Sequence, residues 1–346
     1  MSDNPATSLN YPYGNPSLSG IIKQQPEDFI VNEELGFSLN GSGEHLFLYI
    51  QKKQLITAQL IDEISKVVGV PARQIGYSGL KDKQAITRQW VSIQLPGAKQ
   101  MPEIPDTENY QVLESGWNDK KLRVGVHKRN SFEITIRELK GQSDNLQEVV
   151  QKIKDHGFAN YFGEQRFGRQ QDNVSQALAV LGHRHKLKRL SRNKKSIFIS
   201  ALRSELFNQI LNSRIQQNLW MAPVNGDVFM LAGSQSIFSE ALSDEIHKRY
   251  IEQDIHSALS LAGSGESKIT LDAKEIEDTV LSLNPEISQL LNDLEVKRSV
   301  RANRSQVSDF SIQLNEDATS LVVKVALEKG VYLTSLLQHF IQTQSS

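Results

Sequence analysis

The sequence predicts an α+β fold built mostly from antiparallel strands, and three observations carry that expectation. Strand-like segments crowd both ends of the chain, and helix-like segments crowd its middle. Strands and helices do not alternate in the regular way that a parallel sheet with crossover helices demands. At 346 residues the chain is also longer than one ordinary domain, which runs to roughly 100–200 residues. Strand-rich ends around a helix-rich middle fit one domain interrupted by an insertion.

The elements follow in order. Ile21 and Ile22, then Phe29, Ile30 and Val31, flank the turn-forming Gln25-Pro26-Glu27-Asp28 and predict a hairpin. His45 to Ile50 is an apolar and aromatic run, read as a buried strand. From Thr57 the period changes: Leu60, Ile61, Ile64, Val67 and Val68 recur at helical spacing, Thr57 can cap the helix, and Gly69 with Pro71 ends it. Strands are expected again at 90–95, 111–113, 122–126 and 132–136, followed by a helix from about Asn145 to Asp155. Helices are expected over 174–181, 200–217, 240–251 and 273–283, strands over 300–302 and 321–326, and a last helix near 332–341.

Composition removes several classes of function. There is no cysteine, hence no disulfide, thiolate metal site or cysteine nucleophile. No run approaches the ~20 apolar residues of a membrane helix. The first twenty residues are polar and hold three prolines, with neither the basic start nor the apolar centre of a signal peptide. A cytoplasmic chain with no membrane partner is the expectation. Hydrophobic residues make up 38% and the mean hydropathy is −0.40, enough apolar material for packed cores.

The net charge of −1, from 39 basic and 40 acidic residues, argues as an average against a nucleic-acid partner. The average hides blocks. Residues 173–204 hold no Asp or Glu but carry Arg184, Lys186, Lys188, Arg189, Arg192, Lys194, Lys195 and Arg203, while 240–295 hold thirteen acids and four bases. A second basic stretch runs through Lys120, Lys121, Arg123, Lys128 and Arg129. Charge interactions are screened beyond ~10 Å, so a local basic patch can bind phosphates whatever the global sum. A solvated helix face gives the same pattern.

Two segments stand out chemically. Gly76-Tyr77-Ser78-Gly79-Leu80-Lys81-Asp82-Lys83-Gln84-Ala85-Ile86-Thr87-Arg88-Gln89-Trp90 is a dense polar loop between apolar runs, with Asp82 between Lys81 and Lys83. Its glycines permit tight backbone, and flanking cations favour an ionised carboxylate or hold phosphates. A charged surface turn has the same composition. Asn160-Tyr161-Phe162-Gly163-Glu164-Gln165-Arg166-Phe167-Gly168-Arg169-Gln170 interleaves aromatics, glycines and arginines, the mixture that stacks bases and holds phosphates. It reads equally as a packed connector. His183-Arg184-His185 has no further ligand at metal spacing, so no metal site is expected. Gly263-Ser264-Gly265-Glu266-Ser267-Lys268 lacks the spacing of a phosphate loop.

Taken together, these segments resemble the TruD family of tRNA pseudouridine synthases. The pattern G-x-K-D-x-x-A-x-T-x-Q is matched by Gly79, Lys81, Asp82, Ala85, Thr87 and Gln89, and N-Y-F-G-x-Q-R-F-G is matched from Asn160 to Gly168. Lesser correspondences follow in order along the chain: Lys23 before Pro26-Glu27-Asp28-Phe29, Asn130 and Phe132, Leu206-Phe207-Asn208-Gln209, and Gly263-Ser264-Gly265-Glu266. The resemblance implies isomerisation of uridine at position thirteen of tRNA, with no cofactor and no metal. It implies a pseudouridine-synthase catalytic domain at 1–157 and 304–346, interrupted by a TRUD domain at 158–303. Asp82 is then the essential aspartate and Lys23 its ion-pair partner, with Asn130 and Phe132 lining the uracil pocket. Tyr332 stands where the family usually has phenylalanine in G-x-F-A-T-S, and Leu333 replaces the alanine. Lys83, Arg88, Arg166, Arg169, Arg184, Lys186, Lys188, Arg189 and Arg192 are the candidates for RNA contact. The partner expected is tRNA, met by a monomer with no obligate protein partner.

The residue types suit that reaction. The N1–C1′ bond breaks and a C5–C1′ bond forms, without redox change or hydrolysis. A carboxylate can attack C1′ or abstract the C2′ proton. Flipping the target base out of its stack costs a few kcal/mol, which backbone contacts must offset. A non-catalytic RNA binder and a glycosidase are the rivals. The first sits poorly with Asp82, Lys23 and a ring at 332 together, and the second lacks a separate carboxylate pair.

Overall fold

A computed structural model describes residues 9–98, 100–168 and 170–345 of the chain. In chain order the elements are β1 (Ser19–Ile22), β2 (Phe29–Glu34), β3 (His45–Lys53), α1 (Thr57–Val68), β4 (Ile75–Tyr77), β5 (Ile86–Gln94), β6 (Tyr110–Asn118), β7 (Arg129–Lys140) and α2 (Leu146–His156). The middle holds β8 (Phe158–Ala159), α3 (Asn173–Leu181), α4 (Arg184–Arg189), α5 (Arg192–Gln216), β9 (Val228–Leu231), β10 (Ile237–Ser239), α6 (Asp244–Ile251), β11 (Ile255–Leu261), α7 (Leu271–Leu283) and α8 (Pro285–Asp293). The end holds β12 (Ser299–Ala302), β13 (Arg304–Ser305), β14 (Ser308–Leu314), β15 (Ser320–Glu328), α9 (Leu333–Leu337) and β16 (Gln342–Ser345).

Two compact units result. The first takes residues 17–144, 307–330 and 341–345; the second takes 9–16, 145–306 and 331–340. The first is one ten-stranded sheet in the order β14-β15-β7-β2-β5-β3-β6, with β4 on β5, β1 on β7 and β16 on β1. The pairings are antiparallel except β2 with β5 and β1 with β16. Helix α1 covers one face, burying Leu60, Ile61 and Ile64 against Leu46, Leu48, Ile50, Val91 and Ile93. It ends where expected, because Gly69 takes φ 73°, the left-handed cap that glycine adopts at least cost. The second unit packs around α5, whose Phe207, Ile210 and Leu211 share a core with Tyr161, Phe162 and Trp220. It carries its own four-stranded sheet in the order β10-β9-β11-β12.

Local expectations fail where long-range pairing supplies a better partner. The 21–31 segment is not a hairpin: β1 and β2 both pair with the long β7 and not with each other. Residues 122–126 form no strand. Leu122 is buried, but Val124 and Val126 are exposed, and the backbone is satisfied by Ser92 Oγ and the Ser78 carbonyl instead of a neighbouring strand. Thr57 is not the helix cap. Ile56 occupies that position, with its N–H donating to Gln59 Oε1. The last helix is shortened to five residues because the chain turns into β16 and pairs with β1.

Candidate active site

Asp82 lies in the loop between β4 and β5, held from three directions within the first unit. Lys23 Nζ donates to Asp82 Oδ2 at 2.6 Å, with the carboxylate 55% and the lysine side chain 19% exposed. Lys23 itself sits at φ 61°, a left-handed conformation that costs a side-chain-bearing residue of order 1–3 kcal/mol and persists where the surroundings enforce it. Its ammonium also lies 4.3 Å from the centre of the Phe29 ring. From below, the Thr57 hydroxyl accepts the Lys81 N–H at 2.9 Å and donates to Gln89 Oε1 at 3.0 Å. Buried Lys52 donates to the Asp82 carbonyl at 2.9 Å.

Beside the loop lies a buried polar cluster. Lys81 Nζ donates to Glu33 Oε2 at 2.6 Å and to Asn130 Oδ1 at 2.9 Å, and the other Glu33 oxygen accepts the Trp90 N–H at 3.2 Å. Glu33 and Lys81 are almost fully buried, so the pair directs Lys81 inward and away from solvent. Ser78 Oγ and His127 Nδ1 are 2.8 Å apart, and burial pulls the His127 imidazole below its usual value, with Glu33 opposing. Phe132 meets Phe29 edge-to-face on neighbouring strands. Gly76 is required where it stands, since a Cβ there would lie 2.3 Å from the Leu122 carbonyl. Gly79 is not: a Cβ would meet Lys81, His127 and Glu33 at ordinary distances. A cleft of about 430 Å³ opens beside the Lys23–Asp82 pair, lined by Lys23, Gln24, Gln54, Lys83 and Gln84 among others.

Tyr332 belongs to the second unit. Its hydroxyl accepts a hydrogen bond from Arg166 Nη2, and its ring lies 5.8 Å from that of Phe162. Arg301, also in this unit, lies 4.3 Å over the Phe162 ring. Burial pulls the Arg301 guanidinium down to about 10, Tyr332 opposing and Arg166 adding to the pull, which leaves it charged at neutral pH. The aromatic motif is fixed by its main chain: Phe162 N–H donates to Asn208 Oδ1 at 2.8 Å, and Asn208 Nδ2 returns a bond to the Phe162 carbonyl at 3.0 Å. Gly163 lets the 332–334 segment approach, since a Cβ would lie 2.3 Å from Thr334 Oγ1. Leu333 is buried.

The profile of the family tRNA pseudouridine synthase D (TruD) matches residues 8–181 and 182–340. The chain belongs to the TruD family. It is thereby an enzyme of the isomerase class, a tRNA pseudouridine synthase. A Hydrogenovibrio crunogenus tRNA pseudouridine synthase D is 35% identical over 336 residues, covering 96% of each chain. A Legionella pneumophila counterpart is 37% identical over 343 residues, covering 97% of this chain and 99% of its own. A crystal structure of a Methanosarcina mazei protein with the same family designation aligns at a TM-score of 0.75 over 95% of each chain and 21% identity, a likeness of fold.

In this TruD-family chain the residues singled out in the sequence fall into three groups. Asp82, Lys23, Lys81, Thr87, Gln89, Asn130 and Phe132 share the first unit, with Thr87 and Gln89 buried beneath the loop. Lys83 is exposed on the cleft, whereas the Arg88 guanidinium bridges Gln51 and Asn32 across the sheet. Tyr332 and Arg166 share the second unit, as does the basic stretch on α4 and the start of α5, where Lys186, Lys188, Arg189 and Arg192 are exposed. Among the described residues none of those four makes an ion pair. Arg169 lies outside the described residues, and Arg184 begins α4. Among the described residues no three His, Asp or Glu side chains gather as a metal-ligand group, and no helix is long and apolar enough to cross a membrane.

The motifs of the sequence do not single out Glu33, Lys52 or Arg301. A signal for the first two exists: Phe29, Val31, Glu33 and Leu46, Leu48, Ile50, Lys52 are period-2 inward stripes, each ending in a charge.

Proposed function

We propose that the chain converts uridine to pseudouridine at position thirteen of tRNA, with Asp82 as the reacting carboxylate and no cofactor. The observation that supports this reading is the state of Asp82: a half-exposed carboxylate on a loop tied down through its main chain, with one ammonium at 2.6 Å. Such a group is held in direction yet open to a substrate. The atoms balance without a co-reactant. The N1–C1′ bond breaks, C5 bonds to C1′, the C5 proton leaves and N1 regains a proton. Asp82 acts either by attack on C1′ or by removal of the C2′ proton, and Lys23 positions it in both cases.

Asn130 and Phe132 line the uracil site, and Tyr332 is the ring against which the base packs, its hydroxyl steadied by Arg166. Lys83 on the cleft and the exposed cations of α4 and α5 serve the RNA backbone. The reaction takes place in the cytoplasm, where a single chain acts on tRNA. The test is Asp82→Asn, followed by tritium release from tRNA labelled at uridine C5. The variant is expected to bind tRNA and release no tritium, and full release would overturn the assignment.

A further inference from the structure

Lys52 is the only lysine among the largest fully buried side chains of the described residues, and its ammonium has no carboxylate within ion-pair distance among them. Its three acceptors are main-chain carbonyls: Leu55 at 2.6 Å, Asp82 at 2.9 Å and, more distantly, Lys81 at 3.5 Å. Burying a cation without a counter-ion is costly, and an apolar side chain would continue the Leu46, Leu48, Ile50 stripe at less expense. The placement of the acceptors accounts for it. The Lys81 and Asp82 carbonyls belong to the peptide planes immediately before and after the Asp82 Cα. One ammonium on both planes therefore restrains both soft backbone dihedrals of Asp82, and those dihedrals set where its carboxylate points. The third acceptor, Leu55, ties the same ammonium to the turn that carries Thr57, the acceptor for the Lys81 N–H.

We infer that Lys52 is a positioning residue for the reaction, holding the main chain of Asp82 to the end of β3 so that the carboxylate is presented in one direction. This rests on the reading of Asp82 as the reacting group. The protonated form is the better clamp, having three donors for the three carbonyls and a charge beside the Asp82 carboxylate. Burial pulls the Lys52 ammonium down to about 8, with Asp82 opposing and Lys81 adding to the pull. The groups around it are Asp82 and Lys81 from the loop, Lys81 being paired with Glu33 of β2, together with its cross-strand neighbours Thr87 of β5 and Tyr110 of β6. Of the two cross-strand neighbours, Tyr110 has its phenol raised by burial, away from that range, and Thr87 carries no charge.

The experiment compares wild type, Lys52→Met and Asp82→Asn by tritium release from C5-labelled tRNA, tRNA binding and thermal melting. Lys52→Met is expected to lower kcat about 10- to 100-fold, the scale of an ångström-level misplacement, with tRNA affinity unchanged. The wild-type profile of kcat/KM is expected to fall above about pH 8, and that limb is expected to be absent from Lys52→Met. A Lys52→Met protein that keeps kcat within twofold while Asp82→Asn is inactive overturns the role of Lys52 alone, whereas an active Asp82→Asn overturns the reading beneath it. Should Lys52→Met fail to fold, the wild-type profile decides: a limb near pH 8 supports the clamp, and a flat profile to pH 9.5 overturns it.

Discussion

Asp82 and Asp227 each face a cation at hydrogen-bond distance, and their surroundings are opposite. Asp227 is fully buried with Arg214 in the second unit; its Oδ2 also accepts from Val224 N–H at 2.8 Å and Ser257 Oγ at 2.6 Å. Both carboxylate oxygens are engaged and no solvent reaches them. Among the described residues Asp82 accepts from Lys23 alone, and its side chain is 55% exposed. Saturating a carboxylate with donors builds structure; leaving it with one partner and open lone pairs leaves it able to react. In the first unit the ties go instead to the main chain on either side of the aspartate, so the side chain is aimed without being consumed.

Four changes break or sharpen that contrast. The largest is Asp82→Asn, expected to cut pseudouridine formation by roughly 10⁴-fold or more, the scale on which loss of a reacting group is felt. Its effect on stability is expected to stay within about 1 kcal/mol, as for exposed ion pairs, and tritium release with chemical denaturation measures both. Arg214→Met inverts the pattern. It strands the buried Asp227 carboxylate and is expected to cost about 3–5 kcal/mol of stability, read as a lower urea midpoint; a loss below 1 kcal/mol would refute the structural role.

Replacing Lys186, Lys188, Arg189 and Arg192 together by Gln is expected to weaken tRNA binding and make its log–log salt slope shallower by about three, at roughly 0.7–0.9 for each phosphate no longer neutralised. An unchanged slope returns that stretch to a solvated helix face. The smallest effect is expected from Tyr332→Phe. It keeps the ring and removes the acceptor of the Arg166 bond, a loss of about 1 kcal/mol, so kcat/KM is expected to fall less than tenfold, with Tyr332→Ala falling further.

Much of the candidate site is legible in the sequence because it is local. The loop around Asp82 and the Asn160–Gly168 segment are continuous, and their spacing survives without knowledge of the fold. What is illegible depends on register. Thr57 satisfies the local rule for a helix cap, yet its hydroxyl serves Lys81 and Gln89 because strand pairing brings both within reach. Gly79 has the setting of a conformational glycine and meets no such demand, whereas Gly76 and Gly163 are required by close approaches across the fold. The basic stretch is visible as composition, and its exposure on α4 and α5 is a result of packing.

The sequence by itself determined the α+β class, the amphipathic helix with its glycine stop, the two long motifs and the aspartate at the centre of one of them. All of these are written in short-range order: period, turn chemistry and contiguous residue types. Only the tertiary structure decided that β1 and β2 pair one after the other along β7 and not with each other, that the polar ends of two inward stripes become Glu33 and Lys52 beneath the loop, and that Tyr332 is braced by Arg166. The reason is physical. A strand's partners are chosen over long separations by which register buries its apolar face, and a charge at the end of such a stripe acquires its meaning only from what that register sets against it.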